Sequence, residues 1–238
     1  MTMSVAASTR VPLVLNPGYA TGCVTVRNHA TYVDTATMTL PPLGHHFFTM
    51  ACNNAWANRR LLDACARLAQ ADFVAPRTSF FPSLKATLNH NLTVDWYYVD
   101  ALERAFRGEA PNTAVKRFFD PAEPCATCAE LQPAQRAVDR RLIDACAALT
   151  EAKLVLPVPV QRRAGIEAET ATRLLAHLFQ HQIHHRGQAH AMLAGTPVKP
   201  PQLDEFFCAN EAQLRAAELA ELGLSEERIW AASAPAGP

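Results

Sequence analysis

The strongest constraint on the fold is a histidine-rich segment at residues 174–193, with the sequence LLAHLFQHQIHHRGQAHAML. At the roughly 100° per residue of an α-helix, one narrow stripe of this segment is apolar at both ends and polar in the middle. The stripe contains Leu174, Leu178, His181, His185, Gln188, Ala189 and Met192. Because an apolar stripe faces a core, the segment predicts a buried helix with histidines at its centre.

His181 and His185 lie in the middle of this stripe, four residues apart. Two imidazoles at this spacing lie one above the other and can bind a single metal ion. Buried histidines that only hydrogen-bond to their neighbours are the alternative, but burial without a ligand would leave several polar atoms without partners. The pair therefore favours a metal site, whereas His177 and His184 flank the stripe and His190 points elsewhere.

Four long helix-like segments and a shorter fifth one account for most of the chain after residue 40. They cover residues 44–69, 83–107, 133–149, 167–193 and 204–222. Loop-like stretches separate them, and LVLPVPVQRRAG at 154–165 is expected to be extended because its prolines exclude a helix. The pattern predicts an all-α fold, a four-helix bundle with a short extra C-terminal helix.

The two ends of the chain differ from this helical region. Residues 1–40 mix Gly, Pro, Thr and Val without a helical period, so we expect a poorly ordered extension or the product of an upstream start codon. We assign residues 41–222 to the bundle and residues 223–238 to a flexible tail. One domain with appendages agrees with a length of 238 residues.

Composition excludes several classes of protein. Lys plus Arg and Asp plus Glu each number 22, so no excess of positive charge favours nucleic acid or an anionic membrane as a partner. No apolar run approaches the roughly 18 residues of a membrane span. The 7 scattered cysteines do not suggest a disulfide framework, which indicates a reducing cytoplasm.

Cys125 and Cys128 form a single C-x-x-C pair in a proline-rich connection. A zinc ribbon requires a second pair and a thioredoxin-type motif requires a βαβ unit, and the sequence offers neither. We therefore interpret the pair as a chance spacing. A di-iron site is excluded as well, because glutamates with E-x-x-H spacing are missing from the sequence.

A third metal ligand has to come from another helix, and the segment 83–107 offers His90. His90 lies off the centre of the apolar stripe of that helix, on a smaller face that could meet a second neighbour, so periodicity leaves its role open. Asp95 falls within the apolar stripe itself. A buried carboxylate needs a partner, and an arginine or the N–H of a ligand histidine are the candidates.

The motif HQIHHRGQ, with LNH upstream, WAN near the first helix and PQLDEFF near the end, resembles the DinB/YfiT-like family of metal-dependent proteins. The resemblance covers roughly residues 43–208 and implies a four-helix bundle with an unusual connection order, often dimeric. It also implies a metal site with one histidine from the second helix and an H-x-x-x-H pair from a later helix. The matching positions are His90, His181 and His185. Some members of this family are transferases or isomerases that use a low-molecular-weight thiol, and many have no assigned reaction.

Three imidazole nitrogens leave at least one coordination position open, as in catalytic metal sites. Zn²⁺ suits this donor set best, and Ni²⁺, Fe²⁺ or Mn²⁺ are alternatives. An open position can activate a water molecule for hydrolysis or hold a thiolate for transfer. The sequence does not choose between these two reactions, although peptidase chemistry lacks the glutamate of an H-E-x-x-H motif.

Four further residues are candidates for supporting such a site, namely Asp95, Gln188, Arg186 and Asn58. Gln188 follows His185 on the same stripe and is expected to hydrogen-bond substrate or bound water. Arg186 is expected to form an ion pair, with Asp95 as the candidate partner. Asn58 belongs to the family's first-helix motif and is expected to anchor the start of that helix.

Three functions remain open from the sequence. The first is a metal-dependent enzyme, a thiol transferase or a hydrolase, that acts on a small molecule as a cytoplasmic homodimer. The second is a non-catalytic metal- or ligand-binding protein of a stress response, in keeping with the damage-inducible expression to which the family's name refers. The third is a helical interaction module with a vestigial site.

Overall fold

The computed structural model describes residues 40–230. The predicted N-terminal extension, apart from Leu40, and the end of the predicted tail, residues 231–238, lie outside the described residues. The elements, in chain order, are α1 Pro42–Cys65, α2 Gln70–Val74, α3 Leu84–Phe106, α4 Lys116–Phe119, α5 Cys128–Ala147, α6 Glu151–Leu154, β1 Pro157–Arg162, β2 Gly165–Thr170, α7 Ala171–Ala194, α8 Ala212–Glu221 and α9 Glu226–Trp230.

The described chain is mostly helical, as the hydrophobic periodicity predicts. The four long helices pack on one another: α1 contacts α5 and α7, and α3 contacts the same two helices. Their apolar stripes meet in one core, and its largest fully buried side chains include Trp56, Leu61, Leu92, Leu102, Leu142 and Leu174. Within residues 40–230, no helix combines the length and the apolar character that a membrane span requires.

Helix α5 begins earlier than the predicted start at Pro133. The side chains of Thr127 and Glu130 form a capping box, in which each accepts a hydrogen bond from the backbone N–H of the other residue. Because this box satisfies free N–H groups further upstream, the helix starts at Cys128 and contains Pro133. The predicted start at Ser83 is confirmed for α3, where the serine side chain accepts a backbone N–H.

The strands β1 and β2 form an antiparallel hairpin directly before α7. The extended conformation predicted for residues 154–165 is confirmed in β1, but the partner strand was not predicted, and α7 begins at Ala171 rather than Glu167. The segment of β2 contains Glu and Ala, which favour helix, and pairing with β1 overrides that preference. Val158 and Val160 are buried, and β1 packs against α3, so the hairpin lies beside the helix that carries His90.

The C-terminal part departs from the single helix predicted over residues 204–222. A short 3-10 turn at Ala209–Glu211 leads into α8, which is shorter than predicted. Helix α9 lies in the segment expected to be a flexible tail, and its Ile229 is buried. The packed part of the described chain therefore extends beyond residue 222.

Candidate metal centre

His90, His181 and His185 come together where α3 packs against α7. Each imidazole offers one nitrogen atom as a ligand, and these three nitrogen atoms lie within 4.8 Å of one another. His90 Nε2 and His181 Nε2 are 3.0 Å apart. The smaller face of α3, which carries His90, therefore meets α7.

The spacing of these nitrogen atoms suits a single metal ion. Two Zn–N bonds of about 2.0–2.1 Å place their nitrogens about 3.3 Å apart at a tetrahedral angle. The distance of 3.0 Å between His90 Nε2 and His181 Nε2 is close to this value. Since imidazole accepts Zn²⁺, Ni²⁺ and Fe²⁺, the three residues fit a divalent ion.

All three imidazoles are held in the neutral form. Burial, followed by the charge of His185, lowers the pKa of His90 to about 4. Burial lowers the pKa of His181 to about 3, and the surrounding histidines add to this effect. Burial also lowers the pKa of His185, although a hydrogen bond with Gln188 acts in the opposite direction. Because neutral imidazole is the form that binds metal, the three residues are available to a cation at neutral pH.

Gln188 sets the orientation of the His185 ring. Gln188 Oε1 lies 2.7 Å from His185 Nδ1, so Nδ1 carries the hydrogen and donates it to the amide oxygen. His185 Nε2 then keeps its lone pair for an ion. Gln188 Nε2 also lies 3.1 Å from His184 Nε2. Gln188 was expected to contact substrate or water, and the structure places it against two histidines.

Two aromatic rings from the loop before α3 lie against the histidines. The Phe81 ring centroid is 4.4 Å from that of His90 and 5.4 Å from that of His185. The Phe80 ring centroid is 6.2 Å from that of His185. These apolar rings reduce the contact of the imidazoles with water on that side, which accounts for part of their burial.

Asp95 lies deep in the core, and its hydrogen bonds go to two glutamines. Its two carboxyl oxygen atoms accept from Gln135 Nε2 at 2.8 Å and from Gln182 Nε2 at 2.6 Å. The prediction of an arginine or a ligand histidine as its partner was therefore wrong. Burial, followed by the charge of Asp139, raises the pKa of Asp95 to about 8, so this carboxyl group is largely protonated at neutral pH.

Arg186 points into the same buried region. Its Nη1 donates to Asn54 Oδ1 and, at 2.9 Å, to Asn58 Oδ1. Asn58 in turn donates to Asp139 Oδ1 at 3.0 Å. The expected ion pair between Arg186 and Asp95 is therefore replaced by contacts with two asparagines. Asn58 was expected to anchor the start of the first helix, but it is a link between Arg186 and Asp139.

These buried groups form one connected set, which we name the core polar network. Its members are Asn54, Asn58, Asp95, Gln135, Asp139, Gln182 and Arg186.

The family model for the DinB family matches residues 40–218, which include the four long helices and the three histidines. The chain belongs to the DinB family. The resemblance carried by the histidine motif is thereby confirmed. No curated protein matches the sequence of this DinB chain.

Part of the core polar network in this DinB chain was not found from the sequence. The missed members are Asn54, Gln135, Asp139 and Gln182. The available signal was a polar residue inside an apolar stripe, because Gln135 and Asp139 alternate with Leu131 and Leu142 on the buried face of α5. The same reasoning that singled out Asp95 would have found both residues.

Cys125 and Cys128 of the DinB chain are buried free thiols. Cys128 Sγ donates to the backbone oxygen of Leu62 at 3.4 Å. Burial raises the pKa of Cys128 to about 11, so it is a neutral thiol at neutral pH. The pair packs like small apolar side chains, in agreement with a chance C-x-x-C spacing.

Proposed function

We propose that this DinB chain is a metal-dependent enzyme that acts on a small molecule, with the ion bound by His90, His181 and His185. The observation that carries the proposal is the convergence of three neutral imidazoles from two separate helices. Histidines with a purely structural role pair their ring nitrogens with hydrogen-bond partners. In this cluster His90 Nε2 and His181 Nε2 lie 3.0 Å apart, and His181 Nδ1 is buried without a hydrogen-bond partner among the described residues.

Zn²⁺ is the ion that we propose, because it readily accepts three imidazoles and leaves one coordination position open. Ni²⁺, Fe²⁺ and Mn²⁺ are the alternatives that elemental analysis would distinguish. When bound, the cation would supply a positive charge that lowers the pKa of a thiol or of a water molecule.

Thiol transfer is the reaction that we favour over hydrolysis. Asp95 is a buried carboxyl group on α3, the helix that carries His90, and two glutamines already donate hydrogen bonds to it. Its raised pKa keeps it protonated at neutral pH, so it is unavailable as a general base for water. A low-molecular-weight thiol needs only to lose its proton to solvent; its sulfur then forms a bond to an electrophilic carbon, and the bond from that carbon to a leaving group such as chloride breaks, with the electron pair departing on the leaving group.

Side chains around the histidines have separate roles in this proposal. Gln188 holds His185 with Nε2 directed at the ion, through its hydrogen bond to Nδ1. Phe81 covers His90 and His185 and limits the entry of water from that side. A thiolate in a drier site is a stronger nucleophile than one in bulk water.

We also propose that α1, α3, α5 and α7 form a four-helix bundle of the DinB type, in a cytoplasmic homodimer. The packing of α1 and α3 on α5 and α7 supports the bundle. Free buried thiols such as Cys52 and Cys146 support a reducing compartment. Light scattering of the purified full chain tests the homodimer, and the mass of a single chain would contradict it.

Turnover of an aryl chloride with a cellular thiol tests the proposed enzyme. We expect zinc-loaded full-length chain to form the thioether, EDTA to abolish this activity, and added Zn²⁺ to restore it. His181→Ala should be inactive. His190→Ala is the matched control on the same helix, because His190 Nε2 lies 2.9 Å from the backbone oxygen of Pro201, outside the histidine cluster.

Two results would contradict this function in different ways. Zinc binding at the three histidines without turnover of any thiol and electrophile pair would favour the non-catalytic metal-binding protein. Equal activity of His181→Ala and the wild type would show that the reaction occurs elsewhere in the chain.

A further inference from the structure

A cleft of about 400 Å³ lies directly beside the histidine cluster. His90 and His181 form part of its wall, and the end of β1 forms another part. Within residues 40–230, its apolar and aromatic lining consists of Val94, Tyr97, Tyr98, Val115 and Phe119. This volume lies in the usual range of small-molecule sites, so the cleft can hold a molecule of one or two rings.

Two arginines follow each other at the hairpin end of this cleft. Arg162 Nη1 donates to Tyr98 Oη at 3.0 Å, and its guanidinium carbon lies 5.4 Å from the centroid of the same ring. Arg162 is therefore held in place by an aromatic side chain rather than by an acid. Arg163 is exposed, and within the described part of the chain it forms no ion pair.

The charges around the cleft are uneven. Two guanidinium groups line it, and the residues described as its lining include no aspartate or glutamate. Glu167 on β2 is close enough for its charge to act on Arg162, but it lies outside the lining. One carboxylate against two guanidinium groups leaves the hairpin end of the cleft positive.

We infer that the cleft binds a small organic anion with an aromatic or apolar body. Its carboxylate, or a group of similar charge, contacts Arg162 and Arg163, and its body lies against Tyr97 and Tyr98. The other end of the molecule reaches the histidines. The inference rests on the proposed function only for the end of the molecule that reaches the histidines, since only a metal-loaded cluster would react with that end.

Other classes of ligand fit these walls less well. A cationic molecule would meet two guanidinium groups without a carboxylate to offset them. A neutral molecule would bury aromatic surface but would gain nothing from the charges of Arg162 and Arg163. His177 also lines the cleft, and its ring centroid lies 5.4 Å from that of Tyr98, so an imidazole N–H adds a donor for an anion.

Binding of naphthoate and of its uncharged isostere naphthamide tests the inference. Both are titrated by NMR into the full-length chain with a chelator present, so that a carboxylate cannot bind through a metal ion. Since a charge-assisted hydrogen bond is stronger than a neutral one, we expect naphthoate to bind about tenfold more tightly than naphthamide. The double variant Arg162→Gln/Arg163→Gln should lose this preference.

Two further variants keep the outcome clear. Arg163→Gln changes an exposed side chain, so it should fold normally and reduce the preference even if the double variant does not fold. Arg173→Gln is the matched control, because Arg173 is exposed on α7, pairs with Glu169 and lies outside the cleft. We expect it to behave like the wild type.

Equal affinities for the two compounds, no binding of naphthoate, or an unchanged preference in Arg163→Gln would overturn the anion site. Metal content is measured on the same samples before chelation. A chain without bound zinc that still prefers naphthoate would contradict the proposed function and leave the anion site intact. A zinc-loaded chain that does not prefer naphthoate would contradict the anion site and leave the proposed function intact.

Discussion

The histidine cluster joins α3 and α7, the core polar network joins all four long helices, and the two are built in opposite ways. In the network, Asp95 accepts hydrogen bonds from two glutamines, and Arg186 donates to two asparagines. In the histidine cluster, ring nitrogens face one another beside a cleft of about 400 Å³. Within residues 40–230, the ionisable side chains of the network are all hydrogen-bonded and Gln182 Oε1 is left without a partner, whereas in the cluster His181 Nδ1 has no partner and His181 Nε2 meets only another imidazole.

Protonation separates the two clusters as well. The pKa values of His90 and His181, about 4 and about 3, leave both rings neutral at neutral pH. In the network, Asp95 is largely protonated, while Asp139, whose pKa burial raises to about 6, is mostly ionised and balances Arg186. Polar side chains in a helix stripe thus indicate structure where unlike donors and acceptors pair, and a candidate ligand site where imidazole nitrogens converge on one another.

Removal of the Arg186 side chain, the positively charged member of the core polar network, should have the largest effect on stability. Arg186→Ala leaves the oxygen atoms of Asn54 and Asn58 without their donor and Asp139 without a balancing charge. We expect the free energy of unfolding to fall by about 3–5 kcal/mol. Denaturant unfolding measures the change, with Arg173→Ala as the exposed control on the same helix.

A loss of less than about 1 kcal/mol in Arg186→Ala would contradict a structural role for the network. In that case the contrast between the hydrogen-bonded ionisable groups of the network and the converging imidazoles of the histidine cluster would no longer hold.

Loss of the residue that orients His185 should weaken metal binding without affecting the fold. Gln188→Leu removes the acceptor for His185 Nδ1. Since such supporting residues contribute a factor of about 10–100 to metal affinity, we expect the zinc dissociation constant to rise by that factor. Competition with a chelating dye measures it. Gln180→Leu, at an exposed position of the same helix, should leave the affinity unchanged, and equal affinities of both variants would exclude an orienting role for Gln188.

The pH dependence of stability should report on Asp95. In the folded chain the pKa of Asp95 is about 8, whereas in the unfolded chain it has the ordinary value of 3.8. The folded state therefore holds more protons between these values, and stability falls as pH rises. Between pH 6.5 and 8 we expect a slope on the order of 1 kcal/mol per pH unit, which Asp95→Asn should reduce.

Asp144→Asn is the control for this pH effect, because Asp144 is an exposed carboxylate on α5. An identical slope in Asp95→Asn and the wild type would show that Asp95 is ionised throughout this range.

The smallest expected effect is at Gly187, which adjoins Arg186 of the network on α7. A Cβ atom at this exposed position would meet nothing within 4 Å. Gly187→Ala should therefore stabilise the chain by about 0.5–1 kcal/mol through helix propensity, without changing the zinc affinity. Thermal unfolding measures the gain. Gly108→Ala, at a φ of +69°, should destabilise instead, and a destabilised Gly187→Ala would reveal a packing role for this glycine.

The helices were predictable where a local signal marks their ends. Helix α3 begins after the capping residue Ser83 and ends at Phe106, close to the predicted range 83–107. The hairpin was only half predictable, since two prolines mark β1 whereas the sequence of β2 favours helix. Strand pairing depends on a partner, and neither local propensity nor period reports it.

The candidate site was predictable to different degrees. The four-residue spacing in a core-facing stripe pointed to His181 and His185, whereas His90 depended on the family resemblance. The partners of Asp95 could not be derived, because Gln135 and Gln182 are separated from it by 40 and 87 positions in the chain. Such contacts depend on how the helices pack, which the period of one helix does not determine.

Zinc content provides the most direct test of the metal centre. Full-length wild type, His90→Ala and His190→Ala are equilibrated with zinc, freed of excess and examined by elemental analysis. We predict about one zinc ion per chain in the wild type and in His190→Ala, and almost none in His90→Ala. Full zinc content in His90→Ala, or none in the wild type, would contradict a metal centre at the three histidines.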